Sequence, residues 1–270
     1  MAAKLEFVKQ PKLALWLMDS LLMIKRSSMH IVRNTDQLLG TFLQPIMFLV
    51  LFAGVFGGAM AAALPPDVSY LDFLLPGIII QTAAFGSTTT AIAVANDMQR
   101  GIIDRFRSLP MANLAVLNGH VVSDLFRNVI SSTVMILAGL AIGFRSQASV
   151  EEWLLITLLI LLFTFAMSWL SAIMGLVAKS VEGVQWISFM LIFPLTMAST
   201  AFVPLTDKTN AIVKAFAENQ PISHIVETFR AFILGNPVGD HLWISIAWCI
   251  GTILVAMPLA SWLFRRKTSH

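Results

Sequence analysis

The chain has 270 residues, of which 57% are hydrophobic and only 12% charged, with a net charge of +3. A soluble domain carries about 25% charged residues, so this composition excludes one. It also argues against nucleic acid as a partner, because the basic residues are spread along segments that flank apolar runs. Mean hydropathy is +0.79, and several apolar runs reach the roughly 20 residues that cross a bilayer. Alternating segments of about ten residues, which build a membrane β-barrel, are not seen. The fold class is therefore all-α, a polytopic membrane protein, and the whole of 1–270 reads as one transmembrane domain.

Residues 1–40 form an arm that does not read as a cleaved signal peptide, since Asp19 interrupts its short apolar stretch and no small-residue cleavage site follows. Within it, Lys12, Asp19 and Arg26 recur every seven residues. That spacing puts them in one polar stripe on a helix too short to span, which predicts an amphipathic helix lying along the membrane surface. Six spans are predicted from Thr41 to Phe264. The first covers Thr41–Met60 and contains Gly54 and Gly58, spaced for close helix approach. The second, Leu71–Ala95, exceeds the length needed to cross, which predicts tilt or a break, and Pro76-Gly77 can kink it or begin it.

Between the second and third spans lies Asp97-Met-Gln-Arg-Gly-Ile-Ile-Asp-Arg-Phe-Arg-Ser-Leu-Pro110, with three arginines and two aspartates in one short loop. Such a local concentration of charge reads as a docking surface for something in water. Arg100, Arg105 and Arg107 can make ion pairs and bidentate contacts, Ile102, Ile103 and Phe106 supply apolar knobs, Gly101 permits a close turn and Pro110 ends the element. The third span, Val121–Phe144, carries Asp124 and Arg127 one turn apart, expected to pair near the membrane edge, and a second close-approach pair, Gly139 and Gly143. The fourth span, Trp153–Ala178, also exceeds the length needed and carries the same expectation of tilt or a break, and the fifth is Val184–Val203, with Pro194 as a kink. In the following loop, Ile212, Val213 and Phe216, then Ile222, Val226, Phe229 and Ile233, fall at helical spacing. Asn219 and Pro221 mark a start and Gly235-Asn236-Pro237 a stop, so two short helices are expected, with Glu227 pairing Arg230. The sixth span is His241–Phe264, and 265–270 is a short tail.

Orientation follows from the Lys and Arg residues. The arm, the 97–110 loop, Lys179 and the tail hold most of them, and an even number of spans puts all these on one side, leaving Arg145, Lys208, Lys214 and Arg230 opposite. Both termini and the charged loop are expected to be cytoplasmic.

The chemistry is defined by what is missing. The chain has no Gly-x-x-x-x-Gly-Lys-Ser/Thr phosphate loop, no His-Glu-x-x-His pattern, and only one cysteine, Cys249, so neither a disulfide nor a cysteine metal site can form within it. His224 and Glu227 share a helix face but are too few for a metal. No enzymatic site, metal or cofactor is expected in this chain. With ionisable residues mostly at span edges, an ion-driven secondary transporter and an intramembrane enzyme are both disfavoured. A hydrophobic substrate moved by an outside energy source suits such a lining.

Several segments together resemble the permeases of type-2 ABC exporters, close to the daunorubicin-resistance branch. They are the six spans with both ends inside, Tyr70-Leu-Asp-Phe-Leu-Leu-Pro-Gly77, the 97–110 loop followed by Leu117-Asn-Gly-His120, the amphipathic N-terminal helix, Asn219-Gln-Pro-Ile-Ser-His224, and Val226-Glu-Thr-Phe-Arg230. The resemblance covers essentially the whole chain. It implies two such permeases, identical or different, on two ABC ATPase subunits that carry ATP and magnesium, in a bacterial inner membrane. It makes the loop a coupling helix, with Asp97, Gln99, Arg100, Gly101, Ile103, Asp104, Arg105, Phe106 and Arg107 as the docking residues. The family often has two acidic residues before that glycine; here the second position is the neutral Gln99. It also implies a path for a hydrophobic small molecule lined by spans one, two and five. Gln81, Phe85, Thr88 and Ile92 share one face of span two, and Trp186, Met190, Phe193 and Met197 one face of span five. Such residues suit varied apolar compounds because they repack. The function expected is ATP-driven export of a drug-like or lipidic compound. A secondary transporter, or a membrane scaffold that uses the same loop to hold a soluble partner, is the alternative.

Overall fold

The computed structural model describes residues 35–66, 68–100, 115–205 and 209–267, and side chains from Phe42 onward. The predicted N-terminal amphipathic helix, and the expected docking residues Gly101, Ile103, Asp104, Arg105, Phe106 and Arg107, lie outside the described residues. The described chain forms nine helices: α1 Thr35–Ala61, α2 Tyr70–Gly86, α3 Thr88–Gln99, α4 Ala115–Ile142, α5 Val150–Val177, α6 Val181–Met197, α7 Ala211–Asn219, α8 Pro221–Leu234 and α9 His241–Lys267. There is no strand among the described residues. Every backbone polar group in lipid must be satisfied within its own segment, and helices do this.

Five stretches are long and apolar enough to cross a membrane: Phe42–Ala61, Tyr70–Gln99, Val116–Ile142, Val150–Val177 and His241–Lys267. The predicted fifth span is shorter than expected. α6 is an apolar helix of 17 residues that stops at Met197 instead of running to Val203. Pro194 supplies no N–H, and hydroxyls then compete for the backbone: Thr196 Oγ1 donates to Ile192 O, and Ser199 Oγ to Thr196 O. The residues that follow turn back into the protein, where Tyr70 Oη donates to Phe202 O at 3.0 Å.

The expected break in the second span is at Ser87, between α2 and α3. The Thr90 N–H bonds Ser87 O, one residue short of the helical partner Gly86 O. The Gly86 carbonyl is thereby released and taken up by side chains. The fourth span, also long, is instead the single unbroken helix α5, started by a capping box of Ser149 and Glu152.

α2 is buried all round, as expected of a central helix. Its Leu74, Leu75, Ile78, Ile79 and Ile80 pack with Met135 of α4, Ile156 and Ile160 of α5, and Ile225 and Phe229 of α8. A second apolar cluster at the far end joins Val94 of α3, Leu117 and Val121 of α4, Trp169 and Leu176 of α5, and Ala260 and Phe264 of α9. Two glycines set the closest approaches. A Cβ on Gly77 would lie 2.3 Å from the Ala201 carbonyl oxygen, and one on Gly175 2.3 Å from the Ala91 carbonyl oxygen. Both obstacles are backbone. Gly175→Ala is therefore expected to push α3 from α5 and lower stability by about 1–3 kcal/mol, read as a lower unfolding midpoint in detergent. An unchanged midpoint would contradict this packing. Of the two predicted close-approach pairs, Gly139 meets Leu75 of α2, whereas nothing lies within 4 Å of the Cβ positions of Gly54 and Gly58.

Candidate functional site

A polar layer lies between the two apolar clusters, built around Arg127. Its Nη1 donates to Thr89 Oγ1, and its Nη2 to both the released Gly86 carbonyl and Asp124 Oδ1. Asp124 is fixed from the other side, by Ser168 Oγ and by Asn128 Nδ2 at 3.4 Å. Both charged residues are buried, Arg127 at 5% and Asp124 at 2% exposure. Ser87 Oγ adds a contact to Ser171 Oγ at 2.8 Å. The pair forms as the sequence spacing suggested, but not at a helix end. Arg127 sits about 18 Å into α4 at about 1.5 Å per residue, beside the middle of the Tyr70–Gln99 stretch.

Next to this layer is a cavity of about 790 Å³ bounded by α1, α2 and α6. Its wall is aromatic: Phe48 and Phe52 of α1, Phe85 of α2, Phe189 and Phe193 of α6, and Phe202 beyond it. The rings of Phe189 and Phe193 stack at 4.9 Å, and Phe85 meets Phe189 at 6.4 Å. Gln44, Gln81, Thr82, Thr89 and Arg127 are its polar members. Four of the eight residues expected to line a path come together here: Gln81, Phe85, Phe193 and Met197. The other four do not. Ile92 packs against Ala91, Ala95, Met174 and Val184, Thr88 is outside the wall, and Trp186 and Met190 are 67% and 73% exposed on the helix surface. Phe48, Phe52, Phe189 and Arg127, not singled out by sequence spacing for a path, also line this cavity. The Phe189/Phe193 pair at i, i+4 is the signal that could have shown which face of α6 borders this cavity.

At the α3 end, the stems of the 101–114 segment are tied together. Asp97 Oδ2 lies 2.9 Å from His120 Nε2, and Gln99 Nε2 donates to Lys179 O at 3.3 Å. Asp97, one of the expected docking residues, is buried at 8% exposure, so here it serves as a clasp between α3 and α4. Gln99 and Arg100 are exposed.

At the opposite end, α8 caps the bundle. Arg230 donates through Nε and Nη2 to Phe73 O, through Nη2 to Thr200 O, and through Nη1 to Glu227. Its guanidinium also covers the Phe73 ring at 3.6 Å. His224 Nδ1 meets His241 Nδ1, the first residue of α9, at 2.9 Å. One imidazole donates and the other accepts, so at least one must be neutral. Burial, then the neighbouring His241, push the His224 pKa below its ordinary value, and Glu227 partly offsets them. A lowered folded-state pKa means that the unfolded chain binds the proton first. The contribution to stability is thus complete above about pH 6.5 and is lost as pH falls towards the lowered folded value. The protection factors of the α8 amides in hydrogen exchange, corrected for intrinsic rates, are expected to fall on acidification, with the dependence flattened in His224→Gln. Equal slopes in both proteins would refute it.

Among the described residues no group of three or more His, Cys, Asp or Glu is placed to hold a metal. The ABC-2 type transporter family model matches residues 19–234. The chain is 31% identical to a daunorubicin resistance ABC transporter permease of Streptomyces coeruleorubidus over 237 residues, 87% of this chain and 81% of that one. It is 27% identical to a probable doxorubicin resistance ABC transporter permease of Mycobacterium tuberculosis over 260 residues, 95% of this chain and 91% of that one. An inner membrane transport permease of Escherichia coli is 21% identical over 227 residues, 82% of this chain and 86% of that one.

Proposed function

The chain belongs to the ABC-2 type transporter family as a permease, and from that premise we propose that it is the membrane half of an ATP-driven exporter. The cargo is a hydrophobic compound, drug-like or lipidic, taken from the cytoplasm or inner leaflet and released outward. Two ABC ATPase subunits supply the energy, with ATP and magnesium bound on them. The loop 97–110 is their coupling helix on the cytoplasmic side, through Arg100, Gly101, Ile103, Asp104, Arg105, Phe106 and Arg107, with Gln99 beside them and Asp97 fixing the stem. Six spans put both termini in the cytoplasm of a bacterial cell. In that topology α6, about 25 Å long at about 1.5 Å per residue, crosses together with the buried turn that follows it. α7 and α8 then lie at the outer face.

The observation that carries the proposal is the aromatic cavity between α1, α2 and α6. Its size suits a drug-sized ligand, for which pockets of about 300–1,000 Å³ are usual. A second permease, a copy or a related chain, is placed against α1 and α6. Support comes from the exposed apolar faces carrying Met47, Val55, Trp186 and Met190, and from the open space beside Gly54 and Gly58. A secondary transporter draws on one observation, the charged pair halfway along the helices. That pair is neutral as a unit and bonded on both sides, unlike the open carboxylate a coupling ion requires, which favours the ATP-driven reading.

The test is efflux of an apolar dye from cells. Phe189→Ala with Phe193→Ala is expected to reduce efflux about tenfold, the effect of removing two stacked rings worth roughly 0.5–1.5 kcal/mol beyond their buried area, with membrane insertion unchanged. Undiminished efflux would count against the cavity as the path.

A further inference from the structure

Arg127 does more in its position than neutralise Asp124. A guanidinium carries five N–H donors. Among the described residues the partners of Arg127 are Thr89 Oγ1, Gly86 O and Asp124 Oδ1, reached through Nη1 and Nη2. Nε–H and one Nη1–H are left over. Arg127 is also part of the cavity wall, together with Gly86 and Thr89. Asp124 is not in that wall; its carboxylate is turned into the α4–α5 contact, held by Asn128 and Ser168. Of the ion pair, Arg127 therefore borders the cavity and Asp124 does not.

Low local dielectric strengthens such a group. A ligand oxygen placed there gains a charge-assisted hydrogen bond, while a ligand cation meets a like charge. The rest of the wall offers mainly aromatic faces.

We propose that Arg127 is a specificity-determining residue of the cavity, which selects ligands with a flat apolar body and one acceptor oxygen, such as a carbonyl, phenolate, carboxylate or sulfonate. This rests on the cavity being a ligand site, as proposed above. The same guanidinium closes the α2–α3 break through Gly86, so an occupied acceptor site touches the helix that leads into the 97–110 loop.

The experiment compares two probes that share one ring system: anilinonaphthalene sulfonate and neutral N-phenylnaphthylamine. Binding is followed by energy transfer from tryptophan to probe, with the protein in nanodiscs. The wild type is expected to prefer the sulfonate by about tenfold, the worth of one charge-assisted hydrogen bond. Arg127→Gln combined with Asp124→Asn, which leaves no orphan charge, is expected to abolish the preference and retain affinity for the neutral probe. Asp124→Asn alone exposes an unneutralised guanidinium and is expected to widen the preference. A preference that survives the double replacement, or one that fails to widen in Asp124→Asn, overturns the assignment. If Phe189→Ala and Phe193→Ala leave the neutral probe bound as before, the cavity itself is not the ligand site and the proposal falls at that earlier step.

Discussion

Replacing Arg105 and Arg107 together with glutamate is expected to reduce ATP-driven transport to background while the protein still inserts into the membrane. The loop carries five charged residues in fourteen, and its stems are tied: Asp97 to His120 at 2.9 Å, and Gln99 to the Lys179 carbonyl at 3.3 Å. A lever fixed at its base transmits force only if its tip stays docked. Truncating one partner of a buried charge pair at an interface costs about 2–5 kcal/mol, and reversing the sign adds repulsion between like charges. Copurification of the ATPase subunit and dye transport in vesicles are the readouts. Normal values of both would remove the loop from the coupling role. The companion prediction for the clasp is milder: His120→Ala should weaken coupling without detaching the ATPase.

The second large effect is expected at the polar layer. Arg127→Ala leaves the Asp124 carboxylate, at 2% exposure, without its counter-charge and the Gly86 carbonyl with only the Thr89 hydroxyl as donor. Breaking one side of a buried pair costs about 3–5 kcal/mol, a large share of the stability of most proteins. The variant is expected to unfold well below the wild-type midpoint in detergent. Adding Asp124→Asn should recover much of the loss, because the orphan charge is then gone. If Arg127→Ala alone leaves the midpoint unchanged, the pair is not the anchor of the α2–α3 break.

Those two residues also show how far a sequence can be read. Spacing of three made Asp124 and Arg127 a pair, but a one-dimensional pattern gives no neighbours, so Thr89, Gly86 and Ser168 could not be paired with them. Hydropathy located the long apolar runs well, since the cost of exposing polar backbone to lipid is severe. The length of the second run implied a break, yet Ser87 does not stand out amid Thr88, Thr89 and Thr90. The end of α6 was missed because Ser199 and Thr200 are too few to interrupt the apolar run around them, yet the Ser199 hydroxyl and the Thr200 backbone bond elsewhere and turn the chain. Helical spacing found Phe85 and Phe193, but α2 is buried on all sides, so its periodicity does not say which face looks into a cavity. Gln81 and Phe85 face it; Ile92, two face-mates further on, is already packed beside α5 and α6. Asp97 read as a docking residue from its place in a charged segment, whereas its burial against His120 depends on α4, more than twenty residues later. Conversely, Gly235 was legible as a stop and ends α8 at φ 68°, because a left-handed residue after a helix is a local requirement.

The most direct measurement is transport of an apolar dye in proteoliposomes that contain this permease with its cassette ATPase. The account predicts uptake that requires hydrolysable ATP and the ATPase subunit, is indifferent to proton and sodium gradients, and disappears with Arg105→Glu and Arg107→Glu. Uptake driven by an ion gradient with the permease alone, or tight ATPase binding with no ATP-dependent movement of any dye, would contradict it.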